Sequence, residues 1–337
     1  MNAFLALLWA RNKEFYRDKA SMVWALVLPV LIVMTIALSF SNEGQRLFKV
    51  GVLVSTDAMQ PAVPQGLNQP YVTIVPVKDA VRGITRVRHH QFDLLLEQQG
   101  QQWRYWINPH ADKGIVAERL LRESDPNAVR EAVSGRALRY IDWVMPGVLG
   151  MNIMFGGLFG AGYVIVRYRK MGVLKRLQAT PVTAFQFLAA QLCSRWLIVV
   201  VASVAIFMGC HFFLDFLVLG SGWLLLLIAG TGALAMIALG LVVSSRTDSE
   251  ELAGGLLNVL TYPMLLLSEV WFSLDDAPAW MQSAAQLLPL THMLAAAREV
   301  MLEGAGMWDV LHHLVVLLAI SAVSLLVAAG LFRWGKA

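Results

Sequence analysis

Apolar residues along this chain fall into long runs separated by short charged stretches, and one region breaks that rhythm. Read as charge-free runs, six segments approach or reach the roughly 20 helical residues that cross a bilayer core. They are 20–41, 143–166, 196–214, 216–243, 252–268 and 314–332, with Arg195 and Glu269 blurring the ends of the third and fifth. Between the first two runs the period changes. Segments 48–54 and 71–77 are short β-branched runs bounded by turn-rich sequence, and 92–98 and 103–108 read as two more strands joined at a turn near Gly100. Segments 79–90, 111–123 and 127–139 read as helices. The last is expected to run into the second span, because neither Gly nor Pro separates Ala137 from Met145. The expected fold is an α-helical polytopic membrane protein of six transmembrane helices with a small α/β domain.

Composition agrees: 57% of the 337 residues are hydrophobic, 15% are charged, and the mean hydropathy is +0.59. The distribution of charge is more telling than its amount. Thirteen of the 27 Lys and Arg and ten of the 23 Asp and Glu lie in 41–140, leaving 14 bases and 13 acids for all other residues. A single soluble domain, a disordered chain and a fibrous repeat are excluded.

Lys and Arg in short loops mark the cytoplasmic side. Arg11, Lys13, Arg17 and Lys19 precede the first run. Arg167, Arg169, Lys170, Lys175 and Arg176 follow the second with no acid among them, and Arg333 and Lys336 follow the last. The link from Glu269 to Asp309 instead holds six acids and one base, Arg298. Both termini are therefore expected in the cytoplasm, with 41–140 outside. The division reads as 1–21, a cytoplasmic amphipathic helix; 22–40, transmembrane helix 1; 41–140, an extracytoplasmic α/β domain; and 141–337, transmembrane helices 2–6. In 1–21, Phe4, Leu7, Leu8 and Phe15 oppose Arg11, Lys13 and Asp18, as suits a helix lying on lipid. The net charge of +4 reflects this sidedness and points to no nucleic acid.

Chemistry is sparse. No phosphate-binding Gly-Lys loop, paired-histidine metal motif or nucleophile elbow occurs. Cys193 and Cys210 both lie in or beside the third run, so no disulfide framework supports 41–140. His89-His90 and His312-His313 are adjacent pairs, which do not share a helix face, and read as solvated or interfacial. Asp275-Asp276 reads as a helix cap or turn, Asp142 and Asp215 as solvated span ends, and Arg195 as a side chain that snorkels. Glu269, Asn258 and Pro263 are the candidates for a translocation path or a dimer contact. The glycines of 147–162 permit close helix approach.

The most informative stretch is 166–192, VRYRKMGVLKRLQATPVTAFQFLAAQL. With the order of spans around it, it resembles the permease subunits of type-2 ABC exporters. Their loop after span two reads Gly-Thr-Leu-Glu-Arg-Leu and then Thr-Pro; here Gly172, Leu174, Arg176, Leu177, Thr180 and Pro181 keep that spacing. Pro278, Trp280, Leu288, Pro289, Leu290, Thr291 and Arg298 resemble the same family's outer re-entrant segment, here 269–300. The resemblance covers essentially the whole chain. It implies a coupling loop, 167–186, that docks into a groove on a separate cytoplasmic ABC ATPase, with Arg167, Arg169, Lys170, Gly172, Leu174, Lys175, Arg176, Leu177, Thr180 and Pro181 as its residues. Mg-ATP would sit on that partner, with no cofactor or metal on this chain. A second permease subunit, membrane lipid and a periplasmic accessory protein on 41–140 complete the expected partners. One departure stands out: where the family commonly has acids around this glycine, the chain has Tyr168, Lys170 and Lys175, with Val173 for Thr. Beside this reading stands an ATP-independent scaffold or sensor with an external partner-binding domain. An ion-coupled carrier is disfavoured by the lack of intramembrane carboxylate pairs.

Overall fold

The computed structural model of the chain describes residues 3–17, 27, 29–30, 32–33, 48–54, 63–69, 71–77, 80–100, 102–272, 274 and 277–332. The first expected span, 22–40, lies almost wholly outside these residues, as do Asp275 and Asp276. The chain divides into two units, Met1–Ser39 with Ile141–Ala337, and Phe40–Tyr140.

Helix α1 (Ala3–Arg17) precedes the second unit, in which five strands form one sheet of order β2-β1-β3-β4-β5. The strands are β1 (Phe48–Leu53), β2 (Val72–Val77), β3 (Leu94–Gln99), β4 (Gln102–Ile107) and β5 (Val129–Ala132). β1 runs parallel to β2 and β3, β3 antiparallel to β4, and β4 parallel to β5. Gly100 takes a φ of 67° at the β3–β4 turn, the sign that tight hairpins require. Side chains alternate across a strand, so the unbroken Leu94-Leu95-Leu96 run serves both faces. Leu94 and Leu96 meet Val50, Tyr105 and Ile107 under Ala117 and Leu121 of α3 (Asp112–Ser124). Leu95 turns the other way, to Phe92, Trp106 and Val87 of α2 (Ala80–Arg88). The result is a sheet between two helices. The buried Tyr105 hydroxyl donates to Glu118 Oε1 at 2.7 Å and accepts from Arg122 Nε at 3.0 Å. Burial pushes its phenol pKa up, with the Glu118 bond adding to the shift.

Segment 127–139 is not a helix. Its first part is β5, paired with β4 from Arg104↔Val129 to Ile107↔Ala132, with Arg104 Nε donating to Glu131 Oε1 at 2.9 Å. The remainder, 133–139, is neither helix nor strand. The Val133 N–H donates to the Ile107 carbonyl at 2.8 Å, and the Leu138 N–H to that of His89 at 2.9 Å. The buried Asn108 amide donates to the Arg88 and Gly135 carbonyls at 2.8 and 3.2 Å. These partners are distant in sequence, and they override local helix preference.

In the other unit, four helices among the described residues are long and apolar enough to cross a membrane, which makes the chain a polytopic membrane protein. They are α4 (Tyr140–Lys170), α6 (Ala184–Leu214), α7 (Gly222–Arg246) and α11 (Met307–Leu331). Between them lie α5 (Val173–Gln178), α8 (Glu250–Leu267), α9 (Ala279–Ala285) and α10 (Pro289–Glu303). The fifth apolar run falls in α8, which has Glu250 and Glu251 in its first turn and Pro263 inside, and which is not one of the four. At 31 residues each, α4 and α6 extend about 46 Å and overshoot a core of about 30 Å. α7 is central and packs on α6, α10 and α11, while α1 packs along α6.

Three polar residues depart from expectation. Arg11 turns inward, its Nη1 donating to the Tyr168 hydroxyl at 3.2 Å, and Ser194 Oγ donates to Asn12 Oδ1 at 2.6 Å. The exposed face of α1 carries Leu5, Trp9 and Lys13 instead, with the Lys13 ammonium 4.5 Å from the Trp9 ring centroid. Arg195 does not snorkel: its Nε donates to the Gly156 carbonyl at 2.6 Å. Its guanidinium lies flat on Gly160, where any side chain would collide with it. Asp142 is buried, and its Oδ1 accepts the Leu217 N–H at 2.9 Å.

Candidate functional site

Helix α4 ends on Lys170, and the chain turns at Gly172, whose φ of 70° is costly for any residue with a Cβ. Two turns of helix, α5, follow. Leu174 fixes them by burying fully against Ala161, Ile165, Phe187 and Ile237, with Leu177 half-buried beside it. The Thr180 hydroxyl donates to the Leu177 carbonyl at 2.6 Å and closes α5. After exposed Pro181, Thr183 and Gln186 form a reciprocal cap that starts α6. The segment is thus a helical hairpin pinned by one leucine, with Lys175, Arg176 and Phe185 turned to its exposed side.

Its five bases are not equivalent. Arg169 points back into the bundle, where its Nη1 donates to the Ser244 carbonyl at 3.0 Å and also to that of Thr247. Its Nη2 donates to the Ser245 carbonyl at 2.9 Å, and Asp248 lies 3.6 Å from its Nε. A guanidinium on the last carbonyls of α7 satisfies groups the helix leaves open and opposes its dipole. Lys170 pairs with Glu250 at 3.5 Å. Arg167, Lys175 and Arg176 are exposed and have no acidic partner among the described residues. The acids that the segment lacks are therefore supplied by the turn between α7 and α8. Sequence alone does not reveal that Arg11 meets Tyr168, or that Asp248 and Glu250 meet Arg169 and Lys170, because each stretch's charge is visible there only by itself.

At the other end of the spans, Glu269 sits at φ 56°, a left-handed conformation that costs a non-glycine residue about 1 kcal/mol or more. Its Oε1 accepts the Leu274 N–H at 3.0 Å, and its Oε2 receives Arg298 Nη1 at 3.2 Å. Arg298 Nη2 also donates to the Glu269 carbonyl, and the guanidinium lies 4.0 Å from the Trp143 ring centroid. Ser268 and Thr291 add a hydroxyl pair at 3.0 Å. The group ties α4, α10 and the end of α8 together. Half-buried Asn258 and exposed Pro263 lie along α8 and do not join it. The adjacent histidines differ in burial and partner while their ring centroids stay 3.8 Å apart: His313 is buried, with its Nδ1 2.9 Å from His292 Nδ1, and His312 is exposed, with its Nδ1 3.0 Å from the Asp309 carbonyl. Among the described residues no group of His, Cys, Asp and Glu is arranged to hold a metal ion.

The arrangement is that of a polytopic membrane protein with a pinned hairpin at one end of its apolar helices and a short-helix turn at the other. Residues 113–302 match the family described as ABC-2 type transporter, and the chain belongs to that family. Among curated proteins it is similar to the linearmycin resistance permease protein LnrN of Bacillus subtilis, 27% identical over 54% of this chain and 47% of that one. It is also similar to a daunorubicin resistance ABC transporter permease protein of Streptomyces coeruleorubidus, 30% identical over 51% of this chain and 61% of the relative. In both cases the chain spans less than two thirds of the relative's length. A probable multidrug ABC transporter permease of Escherichia coli, YbhS, is 22% identical over 97% of this chain and 93% of its own.

Proposed function

We propose that this chain is the permease subunit of an ATP-binding cassette exporter that moves a drug-like amphiphile out across a bacterial inner membrane. Cytoplasmic ABC ATPase subunits carrying Mg-ATP drive it. In this reading there are six spans, the first in 22–40 and the fifth in α8. Both termini and the hairpin at Gly172 are cytoplasmic, and the 40–140 unit is outside, where an accessory protein can reach it. The cargo class rests on the relatives named for resistance to linearmycin and daunorubicin. A second permease subunit meets the face of α8 that leaves Leu252, Leu256, Val259, Tyr262 and Leu266 exposed. The permease does no covalent chemistry; it shifts between two states that the ATP-bound partner binds unequally.

The observation that carries the reading is the hairpin tip, where buried Leu174 anchors a helix that presents Lys175 and Arg176. Such a tip suits an acidic groove on a partner. The test pairs Gly172→Pro, which cannot adopt the positive φ, with Arg176→Glu, which reverses the charge. Both are expected to insert normally yet to lose export and cargo-stimulated, vanadate-sensitive ATP hydrolysis by the assembled complex. Normal export by both variants sinks the coupling role.

A further inference from the structure

Away from the hairpin and the Glu269 group, α4, α6, α7 and α10 leave a partly open cavity of about 230 Å³ between them. Ile153, Phe207, Leu226, Ala229, Met293 and Met301 are among its walls. The cavity exceeds the apolar cavity of about 150 Å³ that takes up benzene. Ser203 is its one polar side chain, and that hydroxyl is spent on the Val199 carbonyl at 2.8 Å. An occupant is therefore offered no free side-chain hydrogen-bond donor, and the methionines adapt to its shape.

Depth identifies the surroundings. Phe212, Phe213 and Trp223 are 84%, 76% and 73% exposed at the α6–α7 end, as aromatic residues at headgroup level are. Along α6, Met208 lies about 6 Å and Ser203 about 13 Å below Phe212; along α7, Ala229 lies about 9 Å below Trp223. One leaflet's acyl layer is about 15 Å deep, so the α6 and α7 walls below Phe212 and Trp223 lie within it. Val204 and Met208, 39% and 61% exposed, stand at its mouth. They continue the exposed stripe of Leu197 and Val201 on α6.

We propose that this cavity holds one acyl chain of a membrane phospholipid from the leaflet at the α6–α7 end, entering past Val204 and Met208. The site rests on the membrane-spanning assignment alone and not on an ATPase partner.

The test uses the full chain in nanodiscs containing a phosphatidylethanolamine with a diazirine midway along one acyl chain. After irradiation, adducts are mapped by mass spectrometry. Adducts on Met208, Leu226 and Met301 are expected to exceed those on Val323 and Leu326, exposed positions of α11 that do not line the cavity. Ala229→Trp fills the space. Gly222→Leu fills it from a position where an added Cβ meets nothing, so at least one variant retains the fold. Displacing about two buried methylenes lowers cavity adducts about tenfold while those on α11 stay constant. Equal labelling of cavity and α11, or cavity labelling unchanged in both variants, overturns the proposal. Displacement of the cavity adducts by daunorubicin also overturns it, because the site would then take cargo instead of lipid.

Discussion

Arg169, Arg195 and Arg298 end in the same way: each places its guanidinium on main-chain carbonyls within the bundle. A planar group with five donors can satisfy several carbonyls at once, which an ammonium cannot. Arg169→Lys is therefore not conservative. The last turn of α7 is expected to lose about 1.5 kcal/mol, so that amide exchange over 241–248 speeds up about tenfold; unchanged exchange removes Arg169 from the capping role. In the sheet, burial pushes the Asp93 carboxyl up while the Lys49 N–H donates to it at 2.7 Å. The folded unit then binds a proton more tightly than the unfolded chain does. Stability from this group is full below the ordinary aspartate value of about 4 and falls as pH rises through the raised folded value. Asp93→Asn keeps an acceptor and removes the charge. It should slow amide exchange in β1 and β3 at neutral pH, and the difference should vanish in acid.

At the scale of elements, most of the fold was legible in the sequence and the misses share one cause. The first four strands, α2, α3 and four of the long apolar runs follow from period and hydropathy, which are local properties. β5 was not legible, because its pairing with β4 and the bonds from Asn108 come from elsewhere in the chain. The same holds for Arg195, whose charge is visible in sequence while the glycine groove that receives it is not. The hairpin was legible as a motif, through Gly172 and the Thr180-Pro181 pair, but not in its attachment. Leu174 supplies that attachment, and Leu174→Ala is expected to cost about 2–3 kcal/mol. Exchange over 173–178 should rise sharply while the centre of α4 stays protected. Equal loosening of both would show a general packing defect instead.

At the scale of the whole molecule, the reading as half of a two-permease assembly makes α8 the decisive surface. With Cys193 and Cys210 replaced, Val259→Cys is expected to give a disulfide-linked dimer in membranes, and Val323→Cys, on α11, is not. A reversed result moves the interface away from α8.

The ties from Arg169 to Asp248 and from Lys170 to Glu250 carry a consequence for inheritance. These pairings make the summed charge of 167–176 and 248–250 the quantity expected to be held constant, with charge free to migrate from one stretch to the other. Relatives with carboxylates beside the glycine should carry neutral or basic side chains where this chain has Asp248 and Glu250. Compatibility with the proposed ATPase partner is then expected to descend as a pair of segments. A chimera that receives only one of them should fail where a chimera that receives both succeeds.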